Sequence, residues 1–314
     1  MDISSTLPAF VVTLREGVEA ALVVGIVLAY LKKAQQSQLN AWVYSGIGAG
    51  VLTSILVGTF LAWTIAQLEG ASQQYAPVFK PSLVAVFSAL AIGLLSWMLI
   101  WMTQQSRLLK AEVERTIGTT LQQGNGAGWG VFGLIFFAVV REGFETVLFL
   151  ASQVQGGVGS VIGAGTGLLG AIGIGFLLFQ VGIKINLKRF FQVMGVLLLL
   201  IVGGLVLSAL GNTDRALTAL TQIHPEWAFL CLLHDPLVRE SSCILGPLVW
   251  NTQVFLPDRQ FPGILLKTLI GYRDHLYLVQ VIGYGIFWLT IGVAYFRSLG
   301  GAIVQSPQTP VATK

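Results

Sequence analysis

The sequence predicts an all-α polytopic membrane protein: seven transmembrane helices, arranged as a 3+3 inverted repeat plus a C-terminal helix. Three observations carry this prediction: the composition, seven long apolar segments, and a charged motif that occurs twice inside them. Of the 314 residues, 54% are hydrophobic and only 10% are charged, and the mean hydropathy is +0.78. This composition is typical of a protein with several membrane spans and excludes an ordinary soluble globular domain.

Seven apolar segments are long enough to cross a bilayer, because about 20 helical residues span its hydrocarbon core of roughly 30 Å. They lie at 7–31, 41–67, 82–105, 130–151, 158–183, 188–211 and 277–299. The first segment contains charges and has no basic stretch before it, so we expect a retained helix rather than a cleaved signal peptide. We interpret 1–314 as one membrane domain with an external loop at 212–276 and a disordered tail at 300–314.

The distribution of Lys and Arg predicts the orientation in the membrane. Ten basic residues lie in or next to the first, third and fifth connections and at or after the end of the last span, whereas the short connections on the other side contain only Lys80. Because basic residues concentrate on the cytoplasmic side, we expect the N-terminus outside and the C-terminus in the cytoplasm. The net charge of +4 is explained in this way without a nucleic-acid partner. We therefore expect a multi-pass protein of the plasma (inner) membrane, surrounded by lipid.

A motif of the form Arg-Glu-Gly-x-Glu occurs at 15–19 and again at 141–145, inside the first and fourth spans. Each charge near the middle of a span costs roughly 2.5–3.5 kcal/mol on an insertion scale, so a purely structural protein would not retain six of them. Three spans separate the motifs, and an odd number of helices per unit means opposite insertion. We therefore predict that 7–105 and 130–211 are inverted repeats, with the helix at 277–299 added.

Small residues support this repeat, because they occur at every fourth position in the second and fifth spans. They are Gly46, Gly50, Ser54, Gly58, Ala62 and Ala66 in the second span, and Gly159, Gly163, Gly167, Ala171 and Gly175 in the fifth. Such stripes let membrane helices approach closely, and generic helix packing is the alternative reading of either stripe alone.

Residues three apart on a helix share a face, so Glu16 and Glu19 can point at one ligand, as can Glu142 and Glu145. Each motif arginine stands four residues before the second glutamate and can pair with it along the helix. These arginines, Arg15 and Arg141, leave a formal charge of −2 on the four carboxylates. We therefore predict a cation site near the midplane, where Gly17 and Gly143 allow a close helix crossing.

The donor atoms at this site predict its ion class. Carboxylate oxygens favour hard ions such as Mg, Ca, Mn and, by the same argument, ferric iron, whereas no membrane segment contains the Cys or His of a soft-metal site. Three alternatives remain open: ion pairs that only lock the bundle, a proton-coupled carrier of an anion bound by the arginines, and an intramembrane metalloenzyme. The last lacks any histidine motif in a span.

Both cysteines, Cys231 and Cys243, lie in the predicted external loop and are candidates for a disulfide. All three histidines lie there too, among scattered acidic residues that we interpret as solvated.

At the doubled motif the sequence resembles the high-affinity iron permease family, the oxidase-dependent iron transporters of fungi and their bacterial relatives. The resemblance extends to Trp250-Asn251-Thr252, Asp258, Gly263 and Gly271-Tyr272 before the last span. It implies uptake of iron, in the ferric state, by the glutamates at 16, 19, 142 and 145. Iron would be the transported substrate, with no permanently bound cofactor and no enzymatic activity; some relatives implicate other divalent metals, which remain an alternative.

The resemblance also bears on partners. Fungal members work with a multicopper ferroxidase and many bacterial ones with periplasmic proteins, so an external iron-delivery or oxidase partner is an expectation. This chain lacks the dense acidic clusters of the fungal loops, and no Asp-Ala-Ser-Glu run occurs in 212–276. A partner of the fungal type therefore does not follow.

Overall fold

The structure is a computed structural model, which describes residues 3–71, 75–105, 127–153, 157–181, 186–231, 242–258 and 260–301. Nine α-helices lie in these ranges: α1 Ile3–Lys33, α2 Asn40–Ala71, α3 Ala76–Gln105, α4 Ala127–Ser152, α5 Gly157–Phe176, α6 Leu187–Ile223, α7 Gly263–Ile270, α8 Leu278–Phe287 and α9 Val293–Gly301. A π-helical turn, Leu177–Val181, extends α5, and another, Trp288–Gly292, joins α8 to α9. The architecture is all-α apart from two short strands.

Five helical segments of the described chain are long and apolar enough to cross a membrane. They lie at Ser37–Thr64, Ala76–Trp101, Gly157–Phe179, Arg189–Ile223 and Leu278–Leu299. α1 and α4 have 31 and 26 residues but contain the charged motifs, which interrupt their apolar sequence. The structure therefore shows a helical protein with several apolar spans, and the seven-span topology with its orientation stays a prediction.

The boundaries of the helices agree with their sequences. Lys32 and Lys33 occupy the last turn of α1, where positive charge interacts favourably with the helix dipole. The side chain of Asn186 accepts a hydrogen bond from the backbone N–H of Arg189 and caps α6. Pro77 lies in the first turn of α3, where a missing N–H costs little.

The predicted end of the sixth helix, at residue 211, differs from the structure. α6 continues to Ile223, so the predicted loop 212–276 begins as a helix. Two polar residues just after this point have partners within the fold: Asp214 Oδ1 accepts the backbone N–H of Ile244 at 2.8 Å, and Asn212 Nδ2 donates to the Ser208 carbonyl at 2.8 Å. They therefore extend the helix rather than end it.

The rest of this connection is folded where it is described. Strands β1 (Leu248–Asn251) and β2 (His275–Tyr277) pair antiparallel, and α7 lies between them in the sequence. A disulfide joins Cys231 to Cys243. α7 ends at Gly271, whose φ of +72° suits glycine and which packs directly on Gly204 of α6. The predicted tail, 300–314, lies outside the described residues except for 300 and 301, which end α9.

The helices pack in a pattern that repeats. α1 lies along α5 and α2 along α4, while α3 lies along α6 and α1 contacts α4. The main apolar core forms where α1, α3 and α6 meet, around residues such as Val12, Leu95 and Leu198, each at most 2% exposed. α8 and α9 cover this core by packing on α6 and α3.

The small-residue stripes form two of these contacts in the same register. In one, the residues in contact are Gly46 with Phe132 and Ile135, Gly50 with Phe136 and Val139, Ser54 with Gly143, and Gly58 with Val147. In the other, they are Gly163 with Thr6 and Ala9, Gly167 with Phe10 and Thr13, Ala171 with Gly17, and Gly175 with Ala21. The two sets correspond at a constant offset along the sequence. In each set, the residue numbers of the contacting residues increase along both helices in the same direction. α2 therefore runs parallel to α4, and α5 runs parallel to α1.

Candidate metal site

The first motif lies in the middle of α1 and points into the protein. The side chains of Arg15 and Glu16 are only 2% and 1% exposed, and that of Glu19 is 14% exposed. Arg15 Nη1 lies 3.1 Å from Glu16 Oε1, and Arg15 Nε lies 3.0 Å from Glu19 Oε1, as the spacing of four residues predicts. One buried guanidinium therefore faces two carboxylates.

The second motif, in α4, is arranged differently. Arg141 Nε lies 3.3 Å from Glu145 Oε1 and 4.0 Å from Glu142 Oε1. Both glutamates are largely buried, but the Arg141 side chain is 50% exposed and its Cζ lies 5.2 Å from the centre of the Trp101 ring. A guanidinium over an aromatic face is stabilised by a cation–π interaction. The two arginines therefore have unequal environments although their motifs are equivalent.

The structure brings three of the four predicted glutamates together. One ligand oxygen each from Glu16, Glu19 and Glu142 lies within 4.8 Å of the others. Oxygens bound to one hard cation at about 2.0–2.6 Å can stand up to about 5 Å apart, so this spacing fits a single ion. Glu145 lies outside the group, next to Arg141.

Several carboxylate oxygens at this place are buried without a hydrogen bond to any described residue. They are Glu16 Oε2, Glu19 Oε1, Glu142 Oε2 and Glu145 Oε2. Glu19 Oε1 lies within salt-bridge distance of Arg15, but the N–H does not point at it. Buried polar atoms normally have hydrogen-bond partners. Carboxylate oxygens that have none at a charged site are therefore available to bind a ligand.

The motif glycines explain how the helices come so close. A methyl group on Gly17 would lie 2.6 Å from Ala171 Cβ on α5, and one on Gly143 would lie 2.6 Å from Ser54 Cβ on α2. Both distances are shorter than any normal carbon contact, so only glycine fits there. The predicted roles of Gly17 and Gly143 in close crossing agree with these contacts, although their helix partners are α5 and α2.

Sequence reasoning missed two residues of this region. Ser54 contacts Gly143, and Trp101 covers Arg141. Ser54 belongs to the small-residue stripe of α2. The register of this stripe against the motif was the sequence signal that could have identified it. No spacing rule connects Trp101 with Arg141, because the two residues lie on different helices.

Three relatives show what the chain is similar to. An uncharacterised protein of Synechocystis sp. (strain ATCC 27184 / PCC 6803 / Kazusa) is 52% identical over 96% of each chain. The ferrous iron permease EfeU of Escherichia coli O6:K15:H31 is 36% identical over 64% of this chain and 71% of its own. The ferrous iron permease EfeU of Yersinia pseudotuberculosis is 33% identical over 66% and 70%. No solved structure gives a significant match.

A family model extends the similarity to almost the whole chain. The model described as the iron permease FTR1 family matches residues 6–296, which includes both motifs and all the described helices except the ends of α1 and α9. The resemblance at the doubled motif is thereby confirmed. The chain belongs to the iron permease FTR1 family, whose members are membrane transporters and not enzymes.

Proposed function

We propose that the protein is an iron permease in which iron crosses the membrane through a site formed by Glu16 and Glu19 of α1 and Glu142 of α4. The observation that carries the proposal is the convergence of these three carboxylates within 4.8 Å in the protein interior. Family membership and the names of two relatives support iron as the substrate. Glu145, which is paired with Arg141, is the neighbouring carboxylate on the path of the iron ion through the protein.

Charge balance favours ferrous iron as the ion that occupies the site. Four carboxylates and two guanidinium groups leave a charge of −2, which a divalent ion neutralises, and an uncompensated charge inside a membrane protein is costly. Two relatives are named ferrous iron permeases. The expectation of ferric iron, drawn from ligand hardness, is the competing proposal, and other divalent ions fit the same charge argument.

The two halves of the protein act as inverted repeats around this site. The stripes of α2 and α5 pack on α4 and α1 in equivalent register, which supports a two-fold relation between 7–105 and 130–211. α2 runs parallel to α4, and α1 turns back into α2 through the short connection 34–39, so α1 and α4 run in opposite directions. Inverted-repeat transporters expose a midplane site to each side in turn by rocking one half against the other.

The arginines keep the empty site from accumulating negative charge. Arg15 offsets one of the two negative charges of Glu16 and Glu19 in the interior, and Arg141 offsets one of the two charges of Glu142 and Glu145. When iron binds, it replaces an arginine as the partner of the carboxylate oxygens. Iron is thus a substrate that enters from the outside of a seven-span protein of the inner membrane, and the transport step needs no resident cofactor.

Uptake of radioactive iron into liposomes that contain the purified protein tests the proposal. We expect Glu16→Gln and Glu142→Gln to lower uptake at least about tenfold, because each removes a carboxylate ligand without changing the size of the side chain. Glu226→Gln, at a glutamate whose side chain is 73% exposed, is the matched control and should transport as the wild type does. Normal uptake by both site variants would refute the glutamate site.

The same liposomes separate the competing substrates. Ferrous iron kept reduced with ascorbate, ferric citrate, manganese and an organic anion are supplied one at a time. We expect the fastest uptake with ferrous iron. Faster uptake of ferric citrate would support the hardness argument, and glutamate-dependent uptake of the anion without any metal would support the anion carrier instead.

A further inference from the structure

A cavity of about 480 Å³ lies between α6 and the connection that follows it, outside the glutamate site. The residues that line it are Arg215, Gln253, Pro257, Asp258, Gln260, Arg273, Asp274 and His275. None of them belongs to either motif. The volume falls in the range of about 300–1,000 Å³ that small-molecule sites in proteins occupy.

Hydrogen bonds hold the backbone around this cavity. Trp250 Nε1 donates to the Arg273 carbonyl at 3.1 Å, and the backbone N–H of Thr252 donates to the Asp274 carbonyl at 2.9 Å. The Tyr272 hydroxyl donates to the Leu256 carbonyl at 2.9 Å. Because these bonds connect β1 and the residues after it with the segment before β2, the cavity is formed without a ligand.

The acidic residues of the cavity already have cationic or hydrogen-bonding partners. Lys267 Nζ lies 2.7 Å from Asp258 Oδ2, and His275 Nδ1 lies 3.0 Å from Asp274 Oδ1. Although partial burial raises the pKa of Asp274, hydrogen bonds and the charge of His275 outweigh it and lower this pKa below its usual value. Both carboxylates also attract the Arg273 guanidinium, but their close ion pairs are with Lys267 and His275.

The arginines of the cavity are in the opposite situation. Neither Arg215 nor Arg273 forms a salt bridge with a described residue. Burial and the nearby charge of Arg215 lower the pKa of Arg273 to about 10, which still leaves it protonated at neutral pH. Its guanidinium lies against Gly211 of α6, where a methyl group would come within 3.0 Å of Nη1. Two arginines that line one cavity attract an anion.

We propose that this cavity binds a small organic anion with two or more carboxylate groups. Guanidinium groups bind carboxylates through two parallel hydrogen bonds, and two arginines suit a ligand with more than one carboxylate. Gln253 and Gln260 add neutral hydrogen-bonding groups on the same lining. This site is separate from the proposed transport of iron and does not depend on it.

Equilibrium binding of radioactive citrate to the full-length protein in detergent, without iron, tests the proposal. We expect saturable binding that weakens at least about tenfold in both Arg215→Gln and Arg273→Gln, because each variant loses a charge-assisted hydrogen-bonding group. Arg297→Gln removes the same charge from an exposed position on α9 and should bind as the wild type does. Glu16→Gln should also keep citrate binding, which separates this site from the glutamate site.

The exposed Arg215 makes the test independent of folding, since its substitution disturbs no packed contact of the kind that Arg273 makes with Gly211. Absence of citrate binding to the wild type at millimolar concentration would overturn the proposal. Unchanged binding by Arg215→Gln would do so too. Inorganic phosphate that binds more tightly than citrate would show that the ligand is not a carboxylate.

Discussion

Glu16 of α1 and Glu142 of α4 occupy the same position in their two motifs, and their carboxylate oxygens meet within 4.8 Å. The close approach of α1 to α5 at Gly17 and of α2 to α4 at Gly143 surrounds this meeting point. The site therefore depends on helix packing as much as on its charged residues. Substitutions of single residues separate the two contributions.

Glu19 and Glu145, the second glutamates of the two motifs, should not be equally important for iron uptake. Glu19 belongs to the close group of three, whereas Glu145 stands outside it beside Arg141. We expect Glu19→Gln to lower iron uptake at least about tenfold and Glu145→Gln to lower it less, because only Glu19 is placed as a direct ligand. Uptake in liposomes with equal amounts of each variant measures this. Equal losses in the two variants would mean that all four carboxylates bind the ion together.

Gly143→Ala should destabilise the contact between α2 and α4. The added methyl group would lie 2.6 Å from Ser54 Cβ, and overpacking of this kind costs about 1–3 kcal/mol. We expect a lower melting temperature for the detergent-solubilised protein. Gly133→Ala in the same helix is the control, because nothing lies within 4 Å of its added methyl group.

A second substitution tests the cause of that loss. Ser54→Gly removes the side chain that the new methyl group would meet, so the double variant with Gly143→Ala should regain most of the lost stability. If the double variant melts as low as Gly143→Ala alone, the contact with Ser54 is not the reason.

Arg15→Gln should destabilise the protein more than Arg141→Gln does. Arg15 is 2% exposed and faces two buried carboxylates, and breaking a buried pair costs about 3–5 kcal/mol. The Arg141 side chain is 50% exposed, so its pairs contribute about 0–1 kcal/mol. Thermal unfolding of the two variants checks the order. Adding Glu19→Gln to Arg15→Gln should recover part of the loss, and the reverse order of the two single variants would contradict the observed burial.

The disulfide between Cys231 and Cys243 can be checked chemically, because the chain has no other cysteine. We expect the unfolded, unreduced protein to react with no maleimide and the reduced protein to react with two. Cys231→Ser should expose one reactive thiol without prior reduction. Two reactive thiols in the unreduced wild type would exclude the bond.

Much of the fold is contained in local patterns. The apolar segments predicted the long helices to within a few residues at most ends, and the spacing of four predicted the pairs Arg15–Glu19 and Arg141–Glu145. The prediction was wrong at the end of α6, because the apolar segment ends at residue 211 whereas the helix continues through Asn212 and Asp214 to Ile223. Their side chains find partners in Ser208 and Ile244, and the second of these contacts is not local in the sequence.

By itself the sequence determined which residues are charged inside the apolar segments, which of them share a helix face and which small residues form stripes, because helical periodicity fixes all three. Only the tertiary structure decided that Glu16, Glu19 and Glu142 meet while Glu145 stays apart, that Arg15 is buried while Arg141 is half exposed, and that Arg215 and Arg273 share a cavity. Each of these depends on how separate helices and loops pack, and equivalent motifs in a repeat need not have equivalent neighbours.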